Sequence, residues 1–297
     1  MTKRAGPVGA HDRNGHTGAN PGQSSNQAAE LAIARCPRSN PLNPRVKSTA
    51  ISQHNVEIQE NRRHWERKPM LRAAYAEFYR DIGRRLEGRP PGPVVECGSG
   101  IGNLKSVLPD CIATDLFPNP WIDRTENIFA LSFADGSVSA LILFDVFHHL
   151  EYPGAALAEL RRVLVPGGRL ILFEPGMGLL GRVVLGLFHH EPLGLGRPIA
   201  WLPPAGWNPG DLRYYAAQGN AWRIFRRGEH ADGLAGWRIR DVACFPALPW
   251  LAAGGLRGPQ LCPAFAAGLV RGVDRLLSIA PRVFASRMLV VLEKCAD

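Results

Sequence analysis

From residue 94 onward, short apolar runs alternate with polar turns and amphipathic stretches, the rhythm of an α/β domain. VVEC (94–97), CIATD (111–115), ALILFDV (140–146) and RLILFEP (169–175) carry apolar residues at consecutive positions. That is the pattern of parallel strands buried on both faces. Asp135-Gly136 marks a turn just before the third of them. Between the last two, GAALAELRRVL (154–164) places Ala156, Leu157, Leu160 and Leu164 on one side, with Arg161 and Arg162 off it. This predicts a helix, which VPGG ends. GWRIRDVACF and ASRMLVVLEK read as two further strands, with a helix over about 264–279 between them. Upstream, Leu71, Tyr75, Phe78 and Ile82 recur at spacings of three and four, predicting a helix that Gly88 closes.

Composition divides the rest. Residues 1–55 are rich in Gly, Pro, Ser, Asn and Gln and are expected to form a disordered tail. Residues 56–89 form a helical cap and 90–297 the main domain, interrupted by 177–240. That interruption opens with the apolar GLLGRVVLGLF, passes through His189-His190-Glu191-Pro192, and continues rich in aromatic residues, Pro and Gly. The formal charge of +9 is unevenly placed: residues 1–50 and 61–90 carry +5 each, 51–60 carry −2, and 91–297 only +1. A neutral domain with a basic tail and helix disfavours nucleic acid as a partner, and no RNA-binding signature appears. Contact with an anionic membrane surface stays open. No apolar run reaches the ~20 residues that span a bilayer. The six cysteines are dispersed without a C-x-x-C pair, and no signal peptide opens the chain, so the expected compartment is the cytoplasm.

The chemistry concentrates in VVECGSGIG (94–102). Glu96 closes a strand, and Gly98, Gly100 and Gly102 let the backbone turn tightly and approach a ligand. The spacing E-x-G-x-G-x-G differs from the nicotinamide fingerprint G-x-G-x-x-G. An acid two residues before the first glycine suits a cofactor with a positive amino group, which points to S-adenosylmethionine. Asp115 ends the next strand, where an acid can accept both ribose hydroxyls.

Together, VVECGSGIG, ATDLF, ALSFADGSVSALILFDVFHHL and AELRRVLVPGGRLILFEP resemble the successive motifs of class I S-adenosylmethionine-dependent methyltransferases, in particular the bacterial type 11-like group. The resemblance covers roughly residues 90–176. It implies a doubly wound, Rossmann-like α/β sheet of seven strands in the order 3-2-1-4-5-7-6, with the helical cap over the cofactor and 177–240 as a lid and acceptor-binding insert. It further implies that Glu96 meets the methionine amino group and that Gly98, Ser99, Gly100 and Gly102 pass under the methionine and ribose. Asp115 then holds the ribose and Leu116 lies on the adenine face. Asn127, where the family often has an acid, and the backbone of Ile128 meet the adenine edge, and Asp145 faces the methionine end.

Methyl transfer from a sulfonium needs an aligned nucleophile and, for a hydroxyl or acidic C–H, a base. His148 and His149 follow the fourth strand and are the candidate bases; His190 is a further catalytic or gating candidate. Tyr75 and Tyr79 are candidate pocket residues, with core packing the preferred role for Tyr75, and Tyr214 and Tyr215 are weaker acceptor contacts. No metal site is expected: at His189-His190-Glu191, two adjacent histidines point in different directions on either a helix or a strand, so they rarely ligate one ion together. The expected acceptor is a small or lipid-like molecule methylated on oxygen or carbon. A nucleic-acid-modifying enzyme and a non-catalytic cofactor-binding protein are the alternatives.

Overall fold

The computed structural model describes the backbone from Pro44, and side chains from Val56, to Ala296, apart from Leu212 and the side chain of Ala264. Most of the tail expected to be disordered lies outside the described residues. From Pro44 the chain is helical, so the cap begins upstream of Val56. Helix α1 (Pro44–Arg67) gives way to α2 (Pro69–Arg85) at Lys68, whose φ of −115° and ψ of 87° are the extended values that a following proline imposes.

Seven strands form one sheet in the order β3-β2-β1-β4-β5-β7-β6. They are β1 (Val94–Cys97), β2 (Ile112–Asp115), β3 (Arg124–Thr125), β4 (Val138–Phe144), β5 (Leu164–Pro175), β6 (Trp237–Phe245) and β7 (Arg287–Lys294). The first five pair in parallel, while β7 runs antiparallel between β5 and β6. Both faces of the centre are covered: Leu141, Ile142 and Leu143 of β4 and Leu170, Ile171 and Leu172 of β5 are all fully buried. This is the sheet the apolar runs predicted.

Two details differ from expectation. VPGG does not stand between helix and strand: β5 starts at Leu164, directly after α3 (Pro153–Val163), and the register against β4 shifts between Val138 and Ala140. The extra residues are absorbed as a bulge, with Gly167 at φ +75°. The C-terminal helix α6 is shorter than read, spanning Ala267–Leu277. Helix α4 (Leu179–Phe188) opens the insert, and the short helices α5 (Leu248–Ala252) and α7 (Pro281–Phe284) flank α6.

Buried cations tie these parts together through backbone carbonyls. Lys68 donates to Gly255, Leu256 and Gly258, joining the cap to the loop after α5. Arg169 of β5 donates to Arg85 and Glu87 at the carboxyl end of α2, where free carbonyls favour a cation.

Candidate functional site

At the tip of β1 the chain keeps hold of β2 as it turns. The N–H groups of Gly98 and Ser99 both donate to the Thr114 carbonyl at 2.8 Å, and Thr114 Oγ1 donates to the Glu96 carbonyl at 2.9 Å. Gly98 has φ +81°, and a Cβ there would lie 2.4 Å from Cγ2 of Val146, so glycine is required twice over. Gly100 has φ +54° and only open space where a Cβ would stand. The loop crosses to the tip of β2, where the buried Asp115 carboxylate accepts the N–H of Gly100 at 2.9 Å and of Leu116 at 2.7 Å. Glu96, 3% exposed, keeps Oε2 buried without a hydrogen-bond partner. Burial, reinforced by the Asp115 charge, pushes its carboxyl up to about 8.

A second cluster sits at the tips of β4 and β5. Asp145 adopts φ +56°, a conformation costly for a side chain with a Cβ, and its carboxylate is paired with the buried Arg287 of β7. The Arg287 guanidinium also lies 4.0 Å from the Trp250 ring. Beside this pair, Tyr75 stacks on Phe144 at 5.3 Å and Tyr79 meets the same ring edge-on at 5.5 Å. Burial first, then Asp145, raises Tyr75 to about 12; burial, Glu96, Tyr75 and Asp145 raise Tyr79 well above its ordinary value. Both phenols therefore stay protonated.

A short 3₁₀ turn, Phe147–His149, follows Asp145. There the fully buried Glu174, at the tip of β5, accepts from the N–H of Val146 and Phe147 with one oxygen and meets His148 Nδ1 at 2.6 Å with the other. His149 Nδ1 faces the Tyr215 carbonyl at 2.9 Å. Glu191, from the insert, comes down between the two rings: His148 Nε2 is 3.5 Å and His149 Nε2 3.6 Å from its carboxylate. Tyr214 donates to Glu191 at 2.8 Å. Burial lowers His148, but the charge of Glu174 and hydrogen bonds to both glutamates outweigh it and hold the ring at about 10. His149 is lowered by burial and by its charged neighbour. Burial would raise Glu191; the two imidazoles and Tyr214 instead hold it at about 2.

Residues 95–172 match the family model described as a methyltransferase domain. The match identifies the kind of domain that these residues form, on the sheet order and the Glu96–glycine–Asp115 edge described above. The chain carries a class I S-adenosylmethionine-dependent methyltransferase domain. A curated relative, an uncharacterised 37.1 kDa protein of transposon TN4556 in Streptomyces fradiae, is 47% identical over 62 residues, and the match spans only 18% of either chain. Among solved structures, a chain from the Haloferax volcanii complex of the Trm112 methyltransferase activator is 14% identical, with a TM-score of 0.46 over 83% of this chain and 97% of its own. An S-adenosylmethionine-dependent methyltransferase from Mesorhizobium loti is 15% identical, with a TM-score of 0.39 over 71% and 95% of the two chains. Likenesses this loose carry no weight beside the sheet order.

The cofactor of this methyltransferase domain is S-adenosylmethionine, and the residues present fit it. The orphaned Glu96 oxygen lacks a cationic partner of the kind an α-ammonium group supplies. The open space over Gly100 admits the methionine and ribose without a Cβ in the way.

The remaining sequence expectations are redistributed. Asn127 does not present its amide outward: Nδ2 donates to the Pro209 carbonyl of the insert at 2.8 Å and Oδ1 accepts from Phe129 N–H at 3.0 Å. Its neighbour Glu126 is buried against Arg124 and Ser132, pinning the same loop. The Asp145 carboxylate is committed to Arg287. His190 lies on the exposed side of the insert, 70% exposed and stacked on His189. The His148 and His149 rings lie with centroids 4.2 Å apart, because the pair sits in a 3₁₀ turn and not in a helix or strand.

Glu174 and Arg287 were missed in the sequence. The signal for Glu174 was available: FEP ends a buried strand on an acid, as VVE and ATD do. Arg287 starts a strand distant in sequence, and no local pattern marks it.

Proposed function

We propose that this protein transfers the methyl group of S-adenosylmethionine to an oxygen or carbon of a small or lipid-like acceptor. The reading rests on the two acids at adjacent strand tips, Glu96 with an unpartnered buried oxygen and Asp115 on the Gly100 N–H. When bound, the cofactor supplies a methyl group on a sulfonium leaving group. Glu96 takes the ammonium group, and Asp115 takes the ribose hydroxyls. Leu116 covers the adenine face, and the Ile128 and Asp145 backbones complete the edge. Tyr75 and Tyr79 exclude water from the reacting end. Alignment of the acceptor for in-line attack is the larger catalytic contribution, worth up to roughly 7–11 kcal/mol in favourable cases. Where the acceptor must lose a proton, His149 takes it, since His148 is already protonated between two glutamates.

Several apolar residues of the insert and C-terminal helix face outward: Leu187 is 73%, Phe188 83% and Leu269 73% exposed. This favours an acceptor met at an apolar surface, such as a lipid-like molecule at a membrane face, over one wholly enclosed. No described helix is long and apolar enough to cross a membrane. The cap's positive charge is largely engaged within the chain, with Arg62 on Glu66, Arg85 on Asp81 and Asp241, and Lys68 and Arg72 on carbonyls. That supports a non-nucleic-acid acceptor.

Incubating the full chain with methyl-labelled S-adenosylmethionine and separate small-molecule, lipid and RNA extracts tests the reading. Label is expected in the small-molecule or lipid fraction. Label confined to RNA would favour the nucleic-acid alternative, and failure of the folded protein to bind the cofactor would overturn both.

A further inference from the structure

We propose that His148, His149 and Glu191 form a binding site for one divalent transition-metal ion. One ligand atom from each lies within 4.8 Å of the others. The two Nδ1 atoms are occupied, by Glu174 at 2.6 Å and by the Tyr215 carbonyl at 2.9 Å. A carbonyl can only accept, so His149 carries its proton on Nδ1, and the carboxylate orients His148 the same way. Both Nε2 atoms are thereby turned onto one carboxylate, and a bound cation would replace the proton that His148 Nε2 carries in its absence. At 3.5 and 3.6 Å these contacts are long for hydrogen bonds, and a small inward shift of the three groups would bring each to the distance of about 2.0–2.2 Å of a bound cation.

The outer contacts follow the same logic. Metal-binding histidines commonly donate the far nitrogen to a carboxylate or a carbonyl, which fixes the ring and raises its basicity. Glu174 and the Tyr215 carbonyl do so here, and Tyr214 hydrogen-bonds Glu191. Two histidines and one carboxylate suit zinc, iron(II) or manganese(II), and three protein ligands leave coordination positions open. His149 also lines a small pocket with Tyr152, Trp207 and Arg213, which gives an approach from outside.

Glu191 belongs to the insert and the two histidines to the sheet edge, so the ion would join the lid to the catalytic core. An acceptor offering a hydroxyl would complete its coordination; the cation would lower the pKa of that hydroxyl so that its proton passes to solvent water, His149 then serving as a ligand and not as the base. The site stands on geometry alone, whereas this role rests on the methyl-transfer reading.

The test titrates Co2+ and Zn2+ into the full, chelator-treated chain, read by cobalt d–d absorption and calorimetry, with S-adenosylhomocysteine binding measured on the same samples. The wild type should bind one equivalent of either metal. Glu191→Gln and His149→Gln should each weaken binding tenfold or more, and whichever variant keeps the wild-type melting temperature decides. A wild type that binds no metal means that a proton fills the gap, and overturns the proposal. So does metal binding that survives both substitutions but disappears in a His189→Ala/His190→Ala variant, which would place the ion on the exposed pair. Cofactor binding without metal binding sinks this site alone, whereas loss of cofactor binding strikes the methyl-transfer reading.

Discussion

The two halves of the site are built by different means. At the tips of β1 and β2, the ligand-facing groups come from two short segments, and the contacts fixing them are local: Thr114 holds Gly98 and Ser99, and Asp115 holds Gly100. At the tips of β4 and β5, the groups come from distant parts of the chain. Asp145 needs Arg287, 142 residues away, and Glu191 must descend from the insert to reach His148. The first half depends on backbone conformation and is formed once the strands pair. The second depends on long-range closure by β7 and the insert.

Breaking the cofactor half should produce the largest effects. Asp115→Ala removes the carboxylate proposed to hold the ribose hydroxyls and should weaken S-adenosylhomocysteine binding by on the order of 10²-fold or more in calorimetry. Gly98→Ala should lower unfolding stability by about 1–3 kcal/mol, because φ is +81° and Val146 occupies the Cβ position. Gly100→Ala has open space and should cost less stability while still obstructing the cofactor, so chemical denaturation and calorimetry should rank the two variants oppositely.

Glu96 gives a pH-dependent contrast. Its carboxyl holds a proton to about 8 in the folded chain against an ordinary 4.5. The folded state therefore binds more protons between these values, and the stability this group confers declines as pH rises toward 8. Glu96→Gln should flatten that decline, measured as the difference between wild-type and variant melting temperatures across the window. The mildest effect is expected where the two halves meet. Asn127→Ala should cost about 1 kcal/mol and speed amide exchange around Trp207–Asp211, with little loss of cofactor affinity.

What the sequence made legible follows the same division. The strand order and the placing of Glu96, the glycines and Asp115 at adjacent strand tips are carried by contiguous motifs, in which spacing alone sets the geometry. The α1 start was obscured because AISQHNVEIQENRRHW lacks a strong apolar stripe, and the β5 bulge because Pro and Gly ordinarily end elements. The partner that Asn127 takes in the insert is Pro209, 82 residues on, which no local pattern marks. The His148–His149–Glu191 cluster was hidden for a sharper reason. A helix or strand would separate the two rings, and only the 3₁₀ turn after a left-handed Asp145 turns both toward the insert.

The central claim is that a buried, protonated acid beside a glycine turn awaits the ammonium group of an adenosyl cofactor. Calorimetry with S-adenosylhomocysteine at pH 7, repeated in buffers of different ionisation enthalpy, addresses it directly. One equivalent should bind with release of roughly one proton, and that release should vanish in Glu96→Gln. Binding without proton release would contradict the role given to Glu96, and no binding by the folded wild type would contradict the account as a whole.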